Sequence, residues 1–201
     1  MDRTIKAGLA GLAIATGFAV TAGMAGHGSR PTDASEGLNA PPRTRIVADL
    51  SDKILYVYEA DTVTDMFDIA DGTDKYPTPR GSFRIRRMTW NPSWVPPDSE
   101  WARKKSAKGP GEKGNPMKVV KIFFKEPDYY IHGTGDLGSL GSSDSHGCLR
   151  MAPDDVTRLG KWVLEHGGEW KGENWFMRIL HARRQEKPIY LSKPVPISVV
   201  P

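Results

Sequence analysis

A mainly β domain, with one or two helices packed late in the chain, is predicted by three observations. Sixteen prolines and 21 glycines in 201 residues cut the chain into short segments bounded by turns. Short β-branched and aromatic runs recur through its middle. Helical periodicity is found only beyond residue 152. With 38% hydrophobic and 26% charged residues, the composition suits a packed core, and the length suits one domain with short extensions.

The elements follow in order. Arg3 and Lys6 precede an apolar run, Ala7 to Ala22, and small residues close it at Val20-Thr-Ala22 and Gly23-Met-Ala25. Residues 1–25 therefore read as a secretory signal peptide or as an N-terminal anchor. Both readings export the rest of the chain to the periplasm or cell envelope. Residues 26–43 are polar and rich in Gly, Pro and Ser, as in a flexible linker. Ile46–Leu50 and Ile54–Tyr58 flank Ser51-Asp-Lys53 and suggest a hairpin. Further strands are expected at Met66–Ala70, Ser82–Arg86, Val119–Phe124 and Tyr129–Ile131.

Trp90 to Pro116 is a long loop holding Trp90, Trp94 and Trp101, and loops of that length usually cover or bind something. Pro153 with Asp154 and Asp155 starts a helix whose Val156, Leu159 and Val163 share a face. Trp175 to Arg183 suggests a second helix. Ile189 to Val200, with Pro194 and Pro196, is expected as an edge strand. The domain itself is placed at 44–166, with 167–201 as a C-terminal extension of helix plus edge strand.

The formal charge of +4 is a small excess, and no basic stripe interleaved with aromatics accompanies it. Nucleic acid is therefore not expected as a partner. The single cysteine is more telling. An exported chain with one thiol has no disulfide framework, so Cys148 is retained for chemistry or as a buried hydrophobe. Two of the five histidines, His132 and His146, lie within 16 residues of it. A free thiol is mostly protonated at neutral pH, and a neighbouring histidine commonly lowers its pKa. Gly147, just before the cysteine, would let backbone N–H groups turn inward as oxyanion donors.

Two decoys share this stretch. Gly133-Thr-Gly135-Asp-Leu-Gly138 matches a dinucleotide fingerprint, but the Ser/Gly/Asp run after it cannot open the required helix. His132, His146 and Cys148 lack the spacing and fourth ligand of a zinc site. Neither a metal nor a cofactor is expected.

His132-Gly-Thr followed by Ser145-His-Gly-Cys148-Leu-Arg150-Met resembles the signature of the L,D-transpeptidase (YkuD-type) catalytic domain. Ile46-Val-Ala-Asp-Leu-Ser, Tyr76-Pro-Thr-Pro-Arg-Gly-Ser-Phe, Asn91-Pro-Ser-Trp94 and Gly114-Asn-Pro-Met117 extend the resemblance in the right order. It implies a β-sandwich or barrel-like domain and a reaction on peptidoglycan stem peptides. In that reaction a cysteine attacks the third stem residue, expels D-alanine and passes the acyl group to an amine. The outcome would be a 3→3 cross-link, attachment of an envelope lipoprotein or D-amino-acid exchange. Carbapenem-type β-lactams would be inhibitors. Arg150 stands where many members have Asn, the loop from His132 to Ser145 is short, and residues past Glu165 have no counterpart in the minimal domain.

On this reading Cys148 is the nucleophile and His132 the base, with the Gly133 carbonyl holding its other ring nitrogen. His146 either shares in catalysis or braces the loop. The Gly147 and Cys148 amides are the expected oxyanion donors. Arg150 either meets a substrate carboxylate or ties the loop to Asp144. Ser145 is read as a turn or hydrogen-bonding residue that also lines the substrate site, and Trp94, with Trp90 and Trp101, either covers the donor or pins the long loop. Two rival classes use the same sequence: an L,D-carboxypeptidase or amidase with water as acceptor, and a catalytically idle wall-binding protein.

Overall fold

The computed structural model describes residues 42–201. The expected leader at 1–25 and most of the expected linker lie outside the described residues. β1 (Thr44–Asp49) and β2 (Ile54–Glu59) form the expected hairpin. Ile46 and Ala48 face Val57 and Leu55 across it, and all four are buried. The Asp49 carboxylate accepts from the Ser51 and Asp52 amides, which closes the turn.

β3 (Thr62–Asp68), β4 (Asp71–Gly72) and β5 (Gly81–Trp90) follow. Next come β6 (Lys118–Lys125), β7 (Tyr129–Gly133), β8 (Ser143–Ser145) and β9 (Leu149–Met151). α1 (Pro153–His166), α2 (Glu173–His181) and β10 (Lys187–Val200) complete the chain. Eight strands pair in the order β3-β2-β1-β10-β5-β6-β7-β9, while β4 and β8 form a small second sheet. Ala70, just beyond β3, exchanges both main-chain hydrogen bonds with Arg150 of β9, at 3.0 and 2.8 Å. The two ends of the strand row therefore meet, and the sheet is nearly closed. The mainly β architecture with two late helices matches expectation.

The edge placement of the last strand is corrected. Ile197 to Val199 lie between β1, in parallel, and β5, in antiparallel. The prolines misled because they occupy the other half. Pro188, Pro194 and Pro196 precede the residues paired to β1, so their missing N–H groups face no second neighbour. Meanwhile Ile189, Leu191, Val195, Ile197 and Val199 alternate into the core, so this segment is structural rather than appended.

α1 buries Val156, Leu159 and Val163 as its pattern implied. Gly160 admits Trp90: a Cβ there would sit 2.8 Å from the indole. Trp90 is wholly buried and meets Phe176 of α2 edge to face at 5.1 Å, so it belongs to the core and not to a binding loop. Asn91 donates from its side chain to the Ile179 and Ala182 carbonyls, capping α2 against the end of β5.

Candidate active site

Strand alternation separates two faces of the sheet. Ile122, Ile131 and Leu149 fill the core from β6, β7 and β9. Their neighbours face the opposite way: Lys121 pairs with His132, Phe123 with Tyr130, and His132 with Arg150. Cys148 directly precedes β9 and continues that face opposite Tyr130. These side chains line one cleft of about 980 Å³. Its far wall is the long loop after β5, carrying Trp94 and Trp101. The Asn115 side chain holds that loop by donating to the Pro92 and Gly109 carbonyls.

Cys148 is half-buried, with its Sγ 3.4 Å from the Asp128 carbonyl. Burial pushes the thiol up to about 11. Hydrogen bonds from the Tyr130 main chain and phenol, and the charge of Lys121, act against that rise. His132 is buried, and its Nδ1 lies 2.9 Å from the Gly133 carbonyl. A carbonyl can only accept, so Nδ1 carries the proton and Nε2 keeps a free lone pair. Burial holds the imidazole down to about 4; the Gly133 carbonyl opposes this, while Arg150 and Lys121 reinforce it. Burial thus favours the neutral form of both the thiol and the imidazole on this face.

This has a consequence for stability. A histidine whose folded pKa is depressed binds fewer protons when folded than when unfolded. Its contribution is complete above about 6.5 and is lost as pH falls through the folded value near 4. The protein should lose roughly 3 kcal/mol between pH 7 and 4 from this group alone. Urea midpoints at both pH values, for wild type and His132→Asn, check it; equal pH slopes would refute the assignment.

Gly133 is compelled by its surroundings, since a Cβ would lie 2.7 Å from the Lys118 carbonyl oxygen. Gly147 has φ 105°, open to glycine but strained for other residues. One expectation fails at this turn. The Gly147 N–H donates to Ser145 Oγ at 3.0 Å, so it is not available to an oxyanion. Ser145 Oγ in turn donates to the Cys148 carbonyl at 2.6 Å, and the residue is buried. Ser145 is therefore the hydrogen-bonding staple of the Cys148 turn that its residue type suggested, and it also lines the cleft.

His146 stacks on Trp101 at 3.9 Å between centroids and leans on Tyr76 at 4.9 Å. Its ring is committed to the long loop, in keeping with the bracing role. Trp94 is nearly buried and stacks on Trp101, which makes it mainly a support. Arg150 donates to Asp144 at 2.9 Å, the structural option of the two, although its side chain also lines the cleft. Tyr130 and Lys121 escaped the sequence reading. The signal was present in the period-2 spacing Tyr130–His132, which places both on one face of a strand. The Gly133–Gly138 fingerprint opens only a three-residue 3-10 turn, Leu137–Ser139.

The family model of the L,D-transpeptidase catalytic domain, YkuD, matches residues 43–195. A Bacillus licheniformis relative bearing the L,D-transpeptidase name YkuD is 30% identical over 119 residues, 59% of each chain. An Escherichia coli K12 relative, named "Probable L,D-transpeptidase ErfK/SrfK", is 27% identical over 179 residues, 79% of this chain and 57% of that one. The chain thus spans less than two thirds of either relative's length. An L,D-transpeptidase from Mycobacterium smegmatis shares the fold with a TM-score of 0.52 and 18% identity, covering 79% of this chain and 59% of that one. L,D-transpeptidase 3 from Mycobacterium tuberculosis, in complex with a faropenem-derived adduct, gives 0.50 and 16%, covering 80% and 61%.

Proposed function

This chain belongs to the L,D-transpeptidase family, and from that premise we propose that it transfers acyl groups between peptidoglycan stem peptides through Cys148. The observation that carries the reading is the cleft face itself. It joins the only cysteine to a buried, neutral His132 whose Nδ1 is anchored and whose Nε2 can accept a proton.

Attack begins when the Cys148 thiol gives its proton to His132 Nε2 as the sulfur bonds to the carbonyl of the third stem residue. The high resting pKa of the thiol makes this a base-assisted step rather than attack by a standing thiolate. With the Gly147 amide engaged by Ser145, the Cys148 N–H and the Tyr130 phenol are the donors left to meet the oxyanion. Collapse breaks the C–N bond, and the imidazolium returns its proton to the leaving D-alanine amine. An acceptor amine then attacks the thioester, losing a proton to His132, and restores the thiol. The acceptor is a second stem peptide, a lipoprotein or a free D-amino acid. The charged start and apolar run of residues 1–25 support export, followed by action in the periplasm or envelope.

Incubation with purified disaccharide-tetrapeptides should release D-alanine and give dimers lighter by one D-alanine, read by mass. Cys148→Ala should give neither. A carbapenem should add its mass to the wild type and not to Cys148→Ala. D-alanine release without any joined product would instead make the protein a carboxypeptidase. A drug adduct that persists on Cys148→Ala would remove that residue from its role.

A further inference from the structure

Resting on the transpeptidase reading, we propose that Lys121 is the receptor for the carboxylate of the departing residue, and so selects donors that end at the residue after the scissile bond. Lys121 lies on the cleft face of β6, opposite His132, and its ammonium sits 4.9 Å from the centroid of the Tyr130 ring. Tyr130 lies between it and the sulfur. Other cations of the cleft are matched: Arg87 by Glu126 at 3.0 Å, and Arg150 by Asp144 at 2.9 Å. Lys121 has no carboxylate within 4.0 Å among the described residues. Lys105 and Lys118 also lack one. However, Lys105 is exposed at the rim over Trp101, and Lys118 lies up the strand beside Gly133.

A half-buried ammonium with no carboxylate in direct contact is under-compensated, and the cost is recovered when a bound anion supplies the contact. Burial pulls the Lys121 pKa down; the charges of Glu186 and Cys148 oppose this from a distance, and Arg87 adds to it. The spacing identifies the anion. Lys121 and Cys148 lie in strand rows separated by β7, about 10 Å apart. A lysine side chain covers part of that distance, and a residue covers roughly 3.5 Å. The ammonium therefore reaches a group one residue beyond a carbonyl held at the sulfur. In a tetrapeptide stem that group is the D-alanine carboxylate, released with its amine when the C–N bond breaks.

The test compares a tetrapeptide donor with its C-terminal carboxamide, which keeps the shape and removes the charge. Wild type should prefer the acid, and its KM for the acid alone should rise with ionic strength. Lys121→Met should raise KM for the acid about 10- to 100-fold more than KM for the amide, while any change in kcat from the charge lost near Cys148 and His132 is shared by both donors. Lys121→Arg should restore part of the preference. A Lys121→Met enzyme that still prefers the acid overturns the proposal. So does a fall in kcat with KM raised equally for both donors, which would make Lys121 only a counter-charge to the sulfur. Wild type inactive on both donors would overturn the transpeptidase reading itself, a result distinct from either.

Discussion

Replacing His132 with alanine should lower kcat for D-alanine release by about 10²–10⁴-fold, the usual worth of a positioned general base. His146→Ala should act chiefly on KM, through the long loop. The ranking follows from what each ring touches. The Gly133 carbonyl fixes the His132 tautomer, and burial keeps that ring neutral, so Nε2 is ready to receive a proton. The His146 ring is sandwiched with Trp101 and Tyr76 instead. Iodoacetamide gives an independent measure. In wild type without substrate, labelling should be slow at neutral pH and climb as pH approaches about 11, because burial holds the proton on sulfur. A labelling plateau reached below pH 8 would show a standing thiolate, and the larger loss of kcat in His146→Ala would hand the base to that residue.

Gly147→Ala should be the most damaging change outside the reacting groups. At φ 105° an L-residue is strained by about 1–2 kcal/mol. The new Cβ would also sit 2.8 Å from Cε1 of Tyr129. Overpacking of that kind adds roughly 1–3 kcal/mol. Relief by rotating the peptide would break the Gly147-to-Ser145 hydrogen bond and with it the turn that presents Cys148. Gly141→Ala is the control, since φ there is 82° and no atom lies within 4 Å of the added Cβ. Denaturant midpoints should fall further for Gly147→Ala than for Gly141→Ala, and D-alanine release should fail only in the former. Equal losses would mean that backbone strain, and not the approach of Tyr129, sets the requirement.

Much of this could be read from residue order because the information is local. Alternation in Ile46–Leu50 and Ile54–Tyr58 encodes a hairpin, and Pro153-Asp-Asp encodes a helix start. Cys148 and His132 were legible because their chemistry is rare in the chain. Tyr130 and Lys121 were not, although Tyr130 is two places from His132 and Lys121 lies inside an expected strand. Their roles come from pairing between β6, β7 and β9, and register is a property of two strands that neither one states alone. The Gly147 amide was misjudged for a related reason. Its partner, Ser145 Oγ, is close in sequence, yet the direction of that bond depends on how the turn folds. The last strand was misplaced because proline was weighed as a property of the whole segment, when only its first half carries the penalty.

The pairing of β1 with the last four residues of β10 also makes the sheet depend on contacts far apart in sequence. The row of strands is continuous only when residues from both ends of the domain lie side by side, and Arg150 reaches Ala70 across a gap of 80 positions. Contacts this distant in sequence must be closed against the entropy of long loops, so assembly of such a sheet is slow compared with that of a helical bundle. The sheet is therefore complete only when Ile197–Val200 are seated beside β1, and loss of this one strand would open the row at its middle.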